Sequence, residues 1–171
     1  MVSNSSRATP KILVDADSCP VKDIIIKAAG DTGTPVVLVA SISHLISCDN
    51  EDVQVITVDN VPQAADMAVI NHTDAGDIVV TGDYGLASLA LARGAIPVSS
   101  RGFVFTSDNI DRLLLQRHID VKIRRGGGRT KGPKALTEAD RQSFERVLRK
   151  LVKQQARNNL DILQGDNPPE G

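Results

Sequence analysis

Asp15 and Asp17 stand two residues apart in the run VDADSCPVK at 14–22, while Asp66 lies in QAADMAVI and Asp83 in TGDYGLA. Carboxylates gathered at one place repel and raise one another's pKa, so such a gathering is costly unless a cation neutralises it. Hard oxygen ligands select Mg²⁺ or Mn²⁺, and an incomplete protein shell leaves room for water and phosphate. The chemistry most readily served is metal-assisted cleavage of a phosphodiester. Each Asp taken alone has a plain alternative, because Asp is common in turns and at helix N-termini, where it caps backbone N–H groups. Asp59 and Asp77 are assigned to that structural class.

These residues come together only if the chain folds so that their segments share an edge. KILVD (11–15), PVVLVA (35–40), VQVITV (53–58), DIVVT (77–81) and AIPVS (95–99) read as buried strands. Between them fall helical stretches: one entered at Pro20 and stopped by Gly30, one begun at Pro62, LASLALARG at 86–94, and one from Ile110 to Arg117. Alternating strands and helices imply a parallel sheet with helices on both faces, a three-layer α/β fold. In that topology Asp15, Asp17 and Asp83 follow the ends of strands and Asp66 opens a helix just after one. All four are expected at the carboxyl edge, where open α/β sheets bind ligands.

Residues 1–10 read as a disordered leader, 11–157 as a single domain and 158–171 as a disordered tail. Within the domain, KIRRGGGRTKGPK (122–134) holds six Lys or Arg, four Gly and no acid. It is read as a flexible basic loop whose Arg124, Arg125, Arg129 and Lys131 can follow a phosphate backbone. Thr137 and Asp140 resemble a capping box for a C-terminal helix over about 137–157, with Phe144, Val147, Leu148, Leu151 and Val152 as its apolar stripe.

A formal net charge of −1 gives no whole-molecule attraction to nucleic acid or an acidic membrane, so any such affinity must come from local clustering. Two cysteines, Cys19 and Cys48, are too few for a disulfide framework. No run approaches the length of a membrane span and no secretory signal is recognised, so no membrane partner and a cytoplasmic location are expected. His44, His72 and His118 show no zinc-type spacing. The aromatic residues are Tyr84, Phe103, Phe105 and Phe144 alone, with Tyr84, beside Asp83, the expected stacking ring.

VDADSCPVK at 14–22, AAD at 64–66, GDIVVTGDYGLA at 76–87 and RGAIPVSSRG at 93–102 together resemble the uncharacterised bacterial YaiI/YqxD family, across about residues 11–155. The resemblance implies a PIN-like fold related to PIN and NYN nucleases. It implies an acidic site of Asp15, Asp66 and Asp83, with Asp17 a fourth member, and Ser18 and Thr81 as supporting or phosphate contacts. Mg²⁺ or Mn²⁺ would be the cofactor and nucleic acid, RNA in preference, the partner. The doubled DAD start departs from the single Asp of many PIN domains and leaves the metal count open. Two rival readings stand beside the nuclease. One is a non-catalytic RNA-binding module on the same fold. The other is a phosphatase of the haloacid-dehalogenase type, which also begins with Asp-x-Asp, although here Ser18 and Cys19 follow in place of that group's small Gly-Thr pair.

Overall fold

The computed structural model describes residues 9–44, 47–132 and 134–165. Five strands form one parallel sheet: β1 (Ile12–Asp15), β2 (Val36–Ser41), β3 (Val53–Val58), β4 (Ile78–Val80) and β5 (Ile96–Val98), in the spatial order β3-β2-β1-β4-β5. Five α-helices accompany them: α1 (Lys22–Thr32), α2 (Ala64–Asn71), α3 (Tyr84–Ala92), α4 (Ser107–Arg125) and α5 (Glu138–Gly165). The α/β class expected from the alternation is the class observed.

The side-chain period of a strand divides the core in two. Ile12 and Val14 of β1, with Val36 and Leu38 of β2, pack on one face against Ile25, Ala28 and Ala29 of α1 and Phe144, Leu148 and Val152 of α5. Leu13, Val37 and Val39 pack on the other face against Val69 and Ile70 of α2 and Leu86 and Ala90 of α3. Strands covered on both sides must be apolar throughout, which is why β1 and β4 read as unbroken apolar runs. The capping box forms: the Thr137 N–H donates to Asp140 Oδ2 at 3.0 Å, and the Asp140 N–H to Thr137 Oγ1 at 3.1 Å.

Several expected boundaries are corrected. Helix α1 starts at Lys22 rather than Pro20 and runs through Gly30 to Thr32, because Gly33, at φ 66°, supplies the left-handed cap. Helix α2 starts after Pro62, at Ala64, and Gln63 before it is held at φ 66°. Helix α4 is not confined to 110–117: it opens with a capping box at Thr106 and Asn109 and extends through Arg125. The basic segment 122–134 is therefore not wholly a loop. Its first four residues are helical, since Lys122, Ile123, Arg124 and Arg125 are good or tolerable helix formers and the first Gly comes only at 126. Likewise the C-terminal helix does not stop at 157. It continues to Gly165, so residues 158–165 of the expected tail are helical, extending a helix already nucleated and meeting no Pro before 168. The expected leader at 1–8 and the end of the tail at 166–171 lie outside the described residues.

Candidate active site at the carboxyl edge of the sheet

From β1 the chain moves outward to β2 and β3, then returns to the other side of β1 for β4 and β5. The helix that follows β1 lies on one face and the helix that follows β4 on the other. Between β1 and β4 the loops therefore part in opposite directions and leave a crevice at the carboxyl ends, the topological switch point of an open α/β sheet. Asp15 is the last residue of β1, and Asp83 lies three residues past the end of β4. Asp66 is in the first turn of α2, which packs its Val69 against Leu13 of β1. Asp15, Asp66 and Asp83 thus reach one edge of the sheet from three separate segments, and their charges act on one another.

Each is held in its own way. The Ser18 hydroxyl donates to Asp15 Oδ2 at 3.0 Å. Asp83 is the N-cap of α3: its Oδ1 accepts the Leu86 N–H at 3.0 Å, and its own N–H donates to Oγ1 of the buried Thr81, also at 3.0 Å. The capping and functional readings of Asp83 are compatible, because capping uses Oδ1 and leaves Oδ2 to other partners. That oxygen lies 3.4 Å from the Arg117 guanidinium.

Burial is the main influence pushing the Asp15 carboxyl above its ordinary range; the Ser18 hydrogen bond opposes it, and the charges of Asp17 and Asp83 add to it. Asp66 is raised too, by burial first and then by the charges of Asp83 and Asp15, with Arg117 pulling the other way. Among the described residues, the site is a set of mutually repelling carboxylates with the Arg117 guanidinium beside them.

Asp17 is placed differently. Both of its oxygens accept the Ser41 N–H, at 3.2 and 3.0 Å, and His44 Nδ1 stands 3.7 Å away. The DAD run puts its two acids to separate uses because Ala16 opens a 3-10 turn, which swings Asp17 toward the end of β2. Asp59 is exposed in the turn after β3, and Asp77 is buried on the opposite edge of the sheet, accepting from Lys11 and Asp74. Of the expected nucleic-acid contacts, Arg124 and Arg125 close α4, and Arg129 and Lys131 are exposed beyond it. Tyr84, at the start of α3, packs edge-on to Phe105 with ring centroids 5.7 Å apart.

Arg117, Ser41 and His44 were not anticipated at the site. Ser41 is the last residue of β2, at the same rim, and was within reach of a sequence argument. Arg117 was not, because its role depends on how α4 crosses the molecule.

Among the described residues no three His, Cys, Asp or Glu side chains stand as a ready-made metal site. The donor chemistry nonetheless suits Mg²⁺ or Mn²⁺, since Mg²⁺ is commonly held by one or two carboxylates with water completing its shell.

The model of the family described as "Uncharacterized BCR, YaiI/YqxD family" matches residues 13–154. The chain belongs to the YaiI/YqxD family. Its relatives include the UPF0178 protein of Oceanobacillus iheyensis, 48% identical over 143 residues, covering 83% of this chain and 98% of that protein. The UPF0178 protein of Natranaerobius thermophilus is 48% identical over 145 residues, covering 84% and 97% respectively. Among solved structures, a mutant of Rae1 (YacP) from Bacillus subtilis matches at a TM-score of 0.38 and 20% identity, over 85% of this chain and 98% of that one. A likeness that distant says nothing of activity. Among the described residues no helix is long and apolar enough to cross a membrane.

Proposed function

We propose that this YaiI/YqxD protein is a metal-dependent phosphodiesterase acting on nucleic acid, with RNA the favoured substrate. The observation that carries the reading is the placement of Asp15 and Asp83 on either side of the β1/β4 switch point with Asp66 beside them. One or two of the carboxylates Asp15, Asp66 and Asp83, with water completing the shell, would hold the Mg²⁺ or Mn²⁺; bound there, the ion would supply charge neutralisation at a phosphate and acidify water. Ser18 and Thr81 act through the carboxylates, Ser18 by fixing the Asp15 rotamer and Thr81 by fixing the turn that presents Asp83. Asp17 is a positioning residue that ties the β1 turn to β2.

An acidic crevice repels a polyanion, so the substrate needs positive charge beside it. Arg117 provides the first such charge. Arg124, seven residues on, shares its face of α4 at a distance of about 10 Å along the axis. Arg125, Arg129 and Lys131 continue the charge past the end of the helix. In this reading the basic segment is the outer part of a track that starts at the crevice.

The test is cleavage of mixed RNA and DNA with Mg²⁺ or Mn²⁺ against a chelator control, in the parent protein and in Asp15→Asn. Metal-dependent cleavage lost in Asp15→Asn supports the proposal. Binding of RNA without cleavage at millimolar Mn²⁺ replaces it with the non-catalytic module, and a fluoroberyllate adduct on Asp15 replaces it with the phosphatase.

A further inference from the structure

The chain has one Tyr, three Phe and no Trp. Three of those four rings, Tyr84, Phe103 and Phe105, line a single groove of about 680 Å³. The groove begins at Ser18 and Gly82, which belong to the loops flanking the β1/β4 crevice, and runs outward past the end of β5 to Lys134 and Leu136. Phe105 is 2% exposed and anchors the group. Phe103 stands edge-on to it with centroids 5.3 Å apart and an interplanar angle of 72°, yet remains 44% exposed.

Phe103 is held in place by its turn. The Ser99 N–H donates to the Phe103 carbonyl at 2.8 Å, and Ser99 Oγ accepts the N–H groups of Phe103 and Arg101 at 3.1 and 3.3 Å. Val98 and Val104 close the turn with an antiparallel bridge. Gly102, at φ 84°, lets the backbone press against α5: a Cβ there would lie 3.0 Å from the Ser143 carbonyl oxygen. The Arg101 guanidinium joins the turn to Asp140 and to the Lys134 carbonyl. An aromatic side chain left half in water on a turn so firmly tied is already arranged for a ligand, with little ordering left to do on binding.

We propose that this groove is a base-binding subsite for an unpaired nucleotide of a single-stranded nucleic acid, with Phe103 and Tyr84 as its stacking rings. Every base has a π-face, so rings beside a positively charged groove hold single strands with little sequence preference. Positive charge in the same lining comes from Lys134, since Arg101 is already paired with Asp140, and the Ser100 hydroxyl adds hydrogen-bonding capacity. The volume is within the range of roughly 300–1,000 Å³ usual for sites that enclose a small molecule or one nucleotide. Continuity with the crevice sets the adjoining phosphodiester at the acidic rim. A duplex hides its base faces in the stack, and this groove therefore selects against it. The inference deepens the phosphodiesterase reading and rests on it for what happens to the strand, but not for the binding itself.

The test exploits the absence of Trp: Phe103→Trp introduces a lone Trp at the subsite, whose emission is excited selectively over that of Tyr84. In a chelator, so that no cleavage occurs, the full-length variant is titrated with a short single-stranded RNA, the DNA of the same sequence, the RNA annealed to its complement, and an abasic strand of equal length. The single strands should quench the emission, and the duplex and the abasic strand should not. Phe103→Ala should lower affinity for the single strand roughly 5- to 150-fold, the range a lost base–aromatic stack produces, with its melting temperature close to the parent's. Quenching by the abasic strand equal to that by the RNA, or no quenching at all, overturns the subsite. Because metal is withheld, a protein that stacks RNA but never cleaves it leaves the subsite standing while the phosphodiesterase reading falls.

Discussion

Replacing Asp15 by Asn should make the metal-free protein more stable while removing its response to metal. The Asp15 carboxyl is pushed above its ordinary value of 3.8 by burial, with the charges of Asp17 and Asp83 adding to it. A carboxyl whose pKa is higher folded than unfolded binds protons more tightly in the native state, so its ionisation costs stability once the pH passes 3.8 and continues to cost it at neutral pH. Asparagine carries no charge and still offers an oxygen to the Ser18 hydroxyl now 3.0 Å from Oδ2, so the variant sheds the repulsion and keeps the hydrogen bond. Each neighbouring carboxylate at a partly solvated rim is worth about 0.5–1 kcal/mol, which makes the gain about 1–2 kcal/mol. For a chain of this size that corresponds to roughly 2–8 °C in Tm. The assay is thermal unfolding of both proteins from pH 3 to 8, with chelator and with millimolar Mn²⁺. In chelator the variant should melt higher at neutral pH and converge on the parent as the pH falls below 3.8. With Mn²⁺ the parent should gain by mass action and the variant should gain little. A variant less stable than the parent at neutral pH in chelator would refute the charge argument.

Asp77→Ala should lose about 3–5 kcal/mol in urea unfolding, since the buried Asp77 carboxylate accepts the Lys11 N–H at 3.1 Å, the Asp74 N–H at 2.8 Å and the Lys11 ammonium at 2.6 Å. A loss under about 1 kcal/mol would show that Asp74, 2.9 Å from the same ammonium, is partner enough. Gln63→Gly should gain about 1 kcal/mol in the same measurement, because Gln63 is held at φ 66° where a side chain is strained and Gly is not; a loss would mean that the Gln63 side chain is needed to set α2. Replacing Arg124, Arg125, Arg129 and Lys131 together by Gln should lower the salt slope of RNA binding by about 3, at roughly 0.7 per single-strand phosphate contact. Metal binding should be unaffected, and an unchanged slope would return the segment to the role of a connection between α4 and α5.

The sequence by itself determined the sheet and the edge at which the acids gather. Strands buried on both faces must be apolar over four to six residues, as β1 and β2 are, and that demand is written in local composition. The capping box at Thr137 and the stripe from Phe144 to Val152 were legible for the same reason: a helix end and a helix face are set by residues three or four apart. The helix ends at Arg125 and Gly165 were not, because an exposed polar segment reads alike as loop or helix until it is joined to a nucleated one. Tertiary structure alone decided which carboxylates share the crevice. Asp15 and Asp17 are equivalent by spacing, but Asp15 accepts the Ser18 hydroxyl while both oxygens of Asp17 are taken up by the Ser41 N–H at the end of β2. It also decided that Arg117 faces Asp83 from 34 residues away, and that Phe103 and Phe105 join Tyr84 across the ends of β4 and β5. Contacts of that kind depend on how helices and loops cross over a sheet, a global outcome of packing that no local run of residues records.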